Sequence, residues 1–220
     1  MIENIIKIWN QYYFVFLSGL WGTIWLAFIT VFFGTILGTV VALMRLSKSK
    51  VVGAITTAYV EVLRGTPILL QLYFFWLLLP KALPFDVSDT ACIIMALIIN
   101  SSSYVAEVIR AGIQAVDRGQ TEAAKSLGMS DAHMMRHIIL PQAVKNILPA
   151  LGNEFVVMVK ETSLASVFFV GELMTAYKTV QSTTFLAIPS LTIVGVIYFI
   201  VTFILSKGIK LMERRMKASD

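Results

Sequence analysis

The 220 residues are 57% hydrophobic and 14% charged, with 18 Lys and Arg against 13 Asp and Glu for a net charge of +5. Soluble domains carry about 25% charged residues, so this composition excludes a soluble enzyme or binding module and places the chain in a bilayer. In such a chain, surplus positive charge collects in loops at lipid headgroups; it is no argument for nucleic acid, and no nucleic-acid partner is expected.

Residues 1–16 set Ile5, Ile6, Ile8, Trp9, Tyr12, Tyr13 and Phe16 against Glu3, Asn4, Lys7 and Gln11. That stripe predicts a short interfacial helix lying along the outer surface. Five stretches are then long and apolar enough to cross about 30 Å of hydrocarbon: Phe16–Met44, Ala58–Leu79, Ala91–Val116, Ile147–Phe169 and Phe185–Ile209. The first begins too late and runs too long for a cleaved signal peptide. In it, Thr30, Gly34, Gly38 and Ala42 form a row of small residues on which a second helix can pack closely. Pro80 and Pro84 mark an outside turn, with Ser88 or Asp89 to cap the helix that follows. Cys92 reads as a small buried hydrophobe. A short external helix fits the apolar segment 170–184. One membrane domain covers residues 1–220, with its termini on opposite faces.

Arg45, Lys48 and Lys50 follow span one; Arg110, Arg118, Lys125, Arg136 and Lys145 follow span three; Lys207, Lys210, Arg214, Arg215 and Lys217 lie in the tail. Only Lys7, Lys81 and Lys178 fall on the other face. This asymmetry predicts an external N-terminus and a cytoplasmic C-terminus.

Ionisable and amide groups at membrane depth point to a cavity or to a partner. Glu61 and Arg64 stand three apart on one helix face, where they can pair or form an inner gate, and Gln71 follows deeper. Asn100, Ser103 and Glu107 form one polar stripe in span three. Span four holds Glu154 after the helix-loosening Pro149 and Gly152, then Lys160 and Glu161. Gln71, Asn100, Ser103 and Glu154 are the candidate cavity residues; Glu61, Arg64, Glu107, Lys160 and Glu161 are the gate or structural polar set.

The segment 119–141 is a polar island, too elaborate for a connector. Thr121-Glu122-Ala123-Ala124-Lys125-Ser126-Leu127 is a strong helix former, Gly128 ends it, and Ser130 or Asp131 caps a second short helix. Pro141 then sets the turn into span four. Two short helices joined at a glycine make a stiff knob suited to docking. His133 and His137 share a helix face, but two ligands with no third nearby make a poor metal site. There is no Gly-Lys dipeptide for a phosphate-cradling loop, no G-x-G-x-x-G and no H-E-x-x-H, so no catalytic or metal site is expected.

The spacing Glu122-Ala123-Ala124, three residues, Gly128, nine residues, Ile138, one residue, Leu140-Pro141 resembles the EAA loop of ABC-importer membrane subunits. With Val62-Leu63-Arg64-Gly65-Thr66-Pro67, Ser103 to Ile113, and Lys160-Glu161-Thr162-Ser163-Leu164, the chain resembles the type I permease subunits of polar amino-acid importers (histidine, arginine, glutamine and cystine systems). Members usually carry Asp where this chain has Glu161. The resemblance implies an all-α fold of five spans, a second permease subunit (identical or not), two cytoplasmic ATPase subunits and an external substrate-binding protein. No cofactor is expected in this chain; ATP and its magnesium belong to the ATPase. Glu122, Ala123, Ala124, Gly128, Leu140 and Pro141 would couple to that ATPase. Residues matching Gln71, Asn100 and Glu154 would contact the ligand, and a carboxylate there favours a cationic amino acid, with glutamine, glutamate or cystine as the alternative. A self-sufficient secondary transporter would be expected to show inverted repeats and more spans, and a receptor would not explain the polar stripe.

Overall fold

A computed structural model describes residues 1–47 and 49–217. The helices, in chain order, are α1 (Ile2–Arg45), α2 (Lys50–Gly65), α3 (Ile68–Ala82), α4 (Asp89–Gln114), α5 (Arg118–Ser126), α6 (Asp131–Met134), α7 (Leu140–Glu161), α8 (Leu173–Thr184) and α9 (Ala187–Lys217). A π-helical turn, Met135–Ile139, joins α6 to α7, and a 3₁₀ segment, Thr162–Phe168, follows α7. Lys48, one of the loop charges, lies outside the described residues, and of Lys217 only the backbone is described.

The row of small residues on α1 does what its spacing predicts. Thr30, Gly34, Gly38 and Ala42 are all buried, and α1 packs in parallel along α4. A Cβ added at Gly34 would lie 2.9 Å from Ser101 Oγ, and one at Gly38 would lie 2.6 Å from the Ser102 carbonyl oxygen. Lipid supplies no hydrophobic drive between helices, so this backbone approach is the adhesion. Gly38→Val therefore forces the two helices apart. We expect it to cost about 1–3 kcal/mol, read as a lowered Tm of the detergent-solubilised protein; an unchanged Tm would show that the seam yields.

Four expectations need correction. The helix expected to lie on the outer surface over residues 1–16 is instead the first part of an unbroken α1. Its apolar stripe has a protein partner: Ile8 and Phe16 are buried against Leu173, Ala176 and Val180 of α8 and Ile193 and Val194 of α9. Span two is not one helix. The chain breaks at Thr66-Pro67, and α2 and α3 meet at 109°. Proline disfavours helix at the residue before it, and Thr66 is extended (φ −117°, ψ 148°). By length and composition, three described helices can cross a membrane (α1, α4 and α9), and a fourth span exists only if the bent α2–α3 pair counts as one. The fourth predicted span, now α7, is absent from that set because Lys145, Asn146, Asn153, Glu154 and Lys160 dilute it. Finally, Pro141 makes no turn. It sits in the first turn of α7, and the backbone runs helically through the π turn into it. A proline cannot donate to the carbonyl four residues back, and the wider π turn accommodates its ring.

On the face near the N-terminus, Glu172 anchors α8. Its carboxylate accepts from the Met174 and Thr175 amides at 2.7 and 2.6 Å, and from the Tyr198 hydroxyl of α9 at 3.0 Å. The Leu173 amide donates to Thr23 Oγ1 of α1 at 3.1 Å, which ties the three helices together. Ser88 caps α4, as predicted, and Cys92 is buried.

Candidate functional site: a polar cavity at a broken helix

The break between α2 and α3 opens onto a cavity of about 250 Å³ lined by Thr66, Pro67, Ile68, Asn100, Tyr104, Glu154, Val157, Met158 and Glu161. Each wall follows from local sequence. Pro67 starts α3 and offers no side-chain cap, so the first amides of that helix stay free. Asn100 and Tyr104 lie one turn apart on α4, while Glu154, Val157, Met158 and Glu161 share one face of α7 at three- and four-residue spacing.

Glu154 is 7% exposed and accepts from Ser101 Oγ at 3.1 Å. Among the described residues, no cation lies within ion-pair distance of it. Gln71 does not line the cavity. Its Nε2 donates to the Leu63 carbonyl at 2.8 Å, the Thr66 carbonyl at 3.2 Å and Thr66 Oγ1 at 2.8 Å, which satisfies the frayed end of α2. Its Oε1 accepts from Asn100 Nδ2 at 2.8 Å, so Gln71 holds the amide of Asn100 while Asn100 Oδ1 remains an acceptor in the cavity wall. Ser103, another candidate lining residue, is fully buried and donates back to the Asn100 carbonyl at 2.7 Å. Serine inside a helix commonly does this, so the polar stripe stops short of it.

One turn beyond Tyr104, Glu107 gathers three guanidinium groups. Arg45 Nη1 donates to it at 2.9 Å, Arg110 grips both of its oxygens, and Arg64 Nη1 lies 3.9 Å away. Arg64 also rests over the Tyr104 ring, 5.4 Å from its centre. The predicted Glu61–Arg64 pair does not form. Arg64 turns to α4, and Glu61 is exposed with no ion pair among the described residues. Glu161 lines the cavity, whereas Lys160 lines another groove with Ser163, Lys178 and Tyr198. The sequence reading missed Tyr104, Thr66, Ser101, Arg45 and Arg110. The α4 spacing from Asn100 to Tyr104 was the available signal for the first; the others depend on tertiary contacts.

The loop 119–141 is the two-helix knob that its capping residues predict. Asp117 caps α5 by accepting from the Gly119 amide at 2.7 Å, Gly128 adopts φ +76°, and Ser130 caps α6. Ala124 is buried with Met134 and Ile139. The two alanines therefore do not form one open face: Glu122, Ala123, Leu127, Gly128, Leu140 and Pro141 are exposed while Ala124 faces the knob's own core.

Residues 34–218 match the family of binding-protein-dependent transport system inner membrane components. The chain belongs to that family. It is 38% identical over 204 residues to an arginine transport system permease protein of Bacillus subtilis (strain 168), covering 93% of each chain. It is 36% identical over 200 residues to a nopaline transport system permease protein of Agrobacterium fabrum, covering 87% of this chain and 83% of the relative. A probable glutamine ABC transporter permease protein of the same Bacillus is 37% identical over 206 residues, covering 93% and 94%. Among solved structures, the crystal structure of an amino acid ABC transporter with histidines superposes with a TM-score of 0.90 at 45% identity, covering 94% of this chain and 96% of that one. The protein is thus the membrane permease subunit of an ABC amino-acid importer, a multi-pass inner-membrane component. It is the transport component; ATP hydrolysis belongs to a partner ATPase, and a binding protein serves the assembly.

Proposed function

We propose that this permease moves a cationic amino acid through the cavity between α3, α4 and α7 and into the cytoplasm. The observation that supports this reading is Glu154, a carboxylate 7% exposed, facing a cavity whose described lining residues include no Lys or Arg. A buried charge is costly until an opposite charge neutralises it, so the site favours a ligand that brings one. Glu161 and Asn100 Oδ1 add acceptors on the same walls. Ligands often sit against the positive ends of broken helices in transporters, and the start of α3 at Ile68 is such an end.

In this reading the N-terminus is external and the C-terminus cytoplasmic, two permease subunits work with two ATPase subunits, and the knob of α5 and α6 seats in the ATPase through Glu122, Ala123, Gly128 and the exposed start of α7 at Leu140 and Pro141. Ala124 supports the knob from within. The Glu107–Arg64 cluster serves as a structural gate on the inward side of the cavity. The glutamine-named relatives make a neutral cargo the alternative. The deciding experiment is amino-acid-stimulated ATPase activity of the assembled importer with its binding protein. Arginine, lysine, ornithine or histidine should stimulate about tenfold more than glutamine at equal concentration, a difference of about 1.4 kcal/mol. Equal or greater stimulation by glutamine or cystine would end the cationic reading.

A further inference from the structure

We propose that Arg64 reads the α-carboxylate of the transported amino acid at the inward edge of the cavity. This rests on the cavity reading above and supplies the other half of the ligand. The polar lining offers mostly acceptors: Glu154, Glu161 and Asn100 Oδ1. The hydroxyl proton of Thr66 is already given to the Val62 carbonyl at 2.8 Å. A bare amine or guanidine would satisfy those acceptors as well as an amino acid does, so a carboxylate must be recognised by something else.

Arg64 is the available strong donor. Its guanidinium lies over the Tyr104 ring, and Tyr104 lines the cavity. The side chain is 41% exposed and, among the described residues, makes no hydrogen bond; its nearest anion, Glu107, is 3.9 Å away. The other two arginines are committed. Arg45 donates to Glu107, and Arg110 donates to both Glu107 oxygens and to Gln114 Oε1. Three guanidinium groups around one carboxylate leave room in the local charge balance for a second carboxylate, and paired N–H donors bind one bidentately. Arg64 also points the right way. It follows Thr56 and Val60 at four-residue spacing along the buried face of α2, whereas Val51, Ile55 and Val62 form the exposed apolar face. A carboxylate therefore approaches it from the cavity. Asn100 and Tyr104 are one turn apart, about 6 Å along α4. An extended cationic amino acid with its side chain at Glu154 covers that span.

The competing holder of the carboxylate is the free start of α3 at Ile68, and one experiment separates the two. Binding of arginine and of arginine methyl ester is measured on the assembled permease–ATPase complex in nanodiscs, without the binding protein, which would impose its own selectivity. The wild type should prefer the free acid by about tenfold or more, Arg64→Met should reduce that preference to about twofold, and Arg64→Lys should recover part of it. Glu154→Gln should weaken both probes and leave their ratio unchanged. Copurification of the ATPase with each variant confirms that it has folded. A wild-type preference that survives in Arg64→Met leaves the carboxylate to the start of α3 or the Tyr104 hydroxyl and overturns the proposal, as does a wild type with no preference. Failure of the wild type to bind either probe overturns the cavity reading itself, and this inference with it.

Discussion

Glu154→Gln should lower the uptake of cationic amino acids by about 30-fold or more, corresponding to the ~2 kcal/mol lost when one member of a desolvated charge pair is neutralised. Neutral amino acids, where they are carried at all, should lose less than about threefold, because the isosteric amide still fills the space and still offers Oε1 to Ser101. The substitution should not damage the fold. It removes a carboxylate that is 7% exposed and has no protein cation beside it among the described residues, so the Tm of the empty permease should stay level or rise. Uptake kinetics in proteoliposomes with the full importer, alongside the Tm, provide the check. Parallel losses for arginine and glutamine would leave Glu154 as a structural group and remove charge from the account of selectivity.

Gly128→Asp should leave the permease inserted and folded yet unable to retain its ATPase. A Cβ at this position meets nothing within 4 Å, so space is not the obstacle. The φ of +76° costs most residues about 1–2 kcal/mol but is tolerated by Asp and Asn, so the knob keeps its shape. What changes is a charge placed on the exposed tip between α5 and α6, where a docked partner would have to bury it unpaired at a cost of several kcal/mol. Copurification of the ATPase should fall by more than about 100-fold with Asp and much less with the neutral Gly128→Asn. If the ATPase copurifies with the Asp variant as it does with the wild type, the tip is not the docking surface. If the Asn variant loses it equally, the cause is shape and not charge.

How much of this was legible in the sequence depends on how far each interaction reaches along the chain. The small-residue row on α1 was legible because its period alone defines a face, and that face found α4. The knob was legible because its caps at Ser130 and Gly128 are local chemistry. The break in span two was half legible. Pro67 marked a weak point, but apolar residues on both sides masked a 109° turn. The Glu61–Arg64 pairing failed because spacing on one helix cannot reveal that a partner 43 residues away, Glu107, already gathers guanidinium groups from α1 and α4. Ser103 failed for the opposite reason: its partner is its own backbone, three residues back. Of the four candidate cavity residues, Asn100 on α4 and Glu154 on α7 line the pocket, whereas Gln71 is the brace behind Asn100 and not part of the wall.

The unbroken run of α1 carries a mechanical consequence. Its 44 residues rise about 66 Å, roughly twice the hydrocarbon thickness, and even a 40° tilt leaves about 50 Å along the bilayer normal. The helix therefore extends beyond the hydrocarbon as a mast, braced near its free end by α8 and α9. Any sideways load applied there travels straight down to the seam with α4, and so to the helix that carries Asn100 and Tyr104, without a hinge to absorb it.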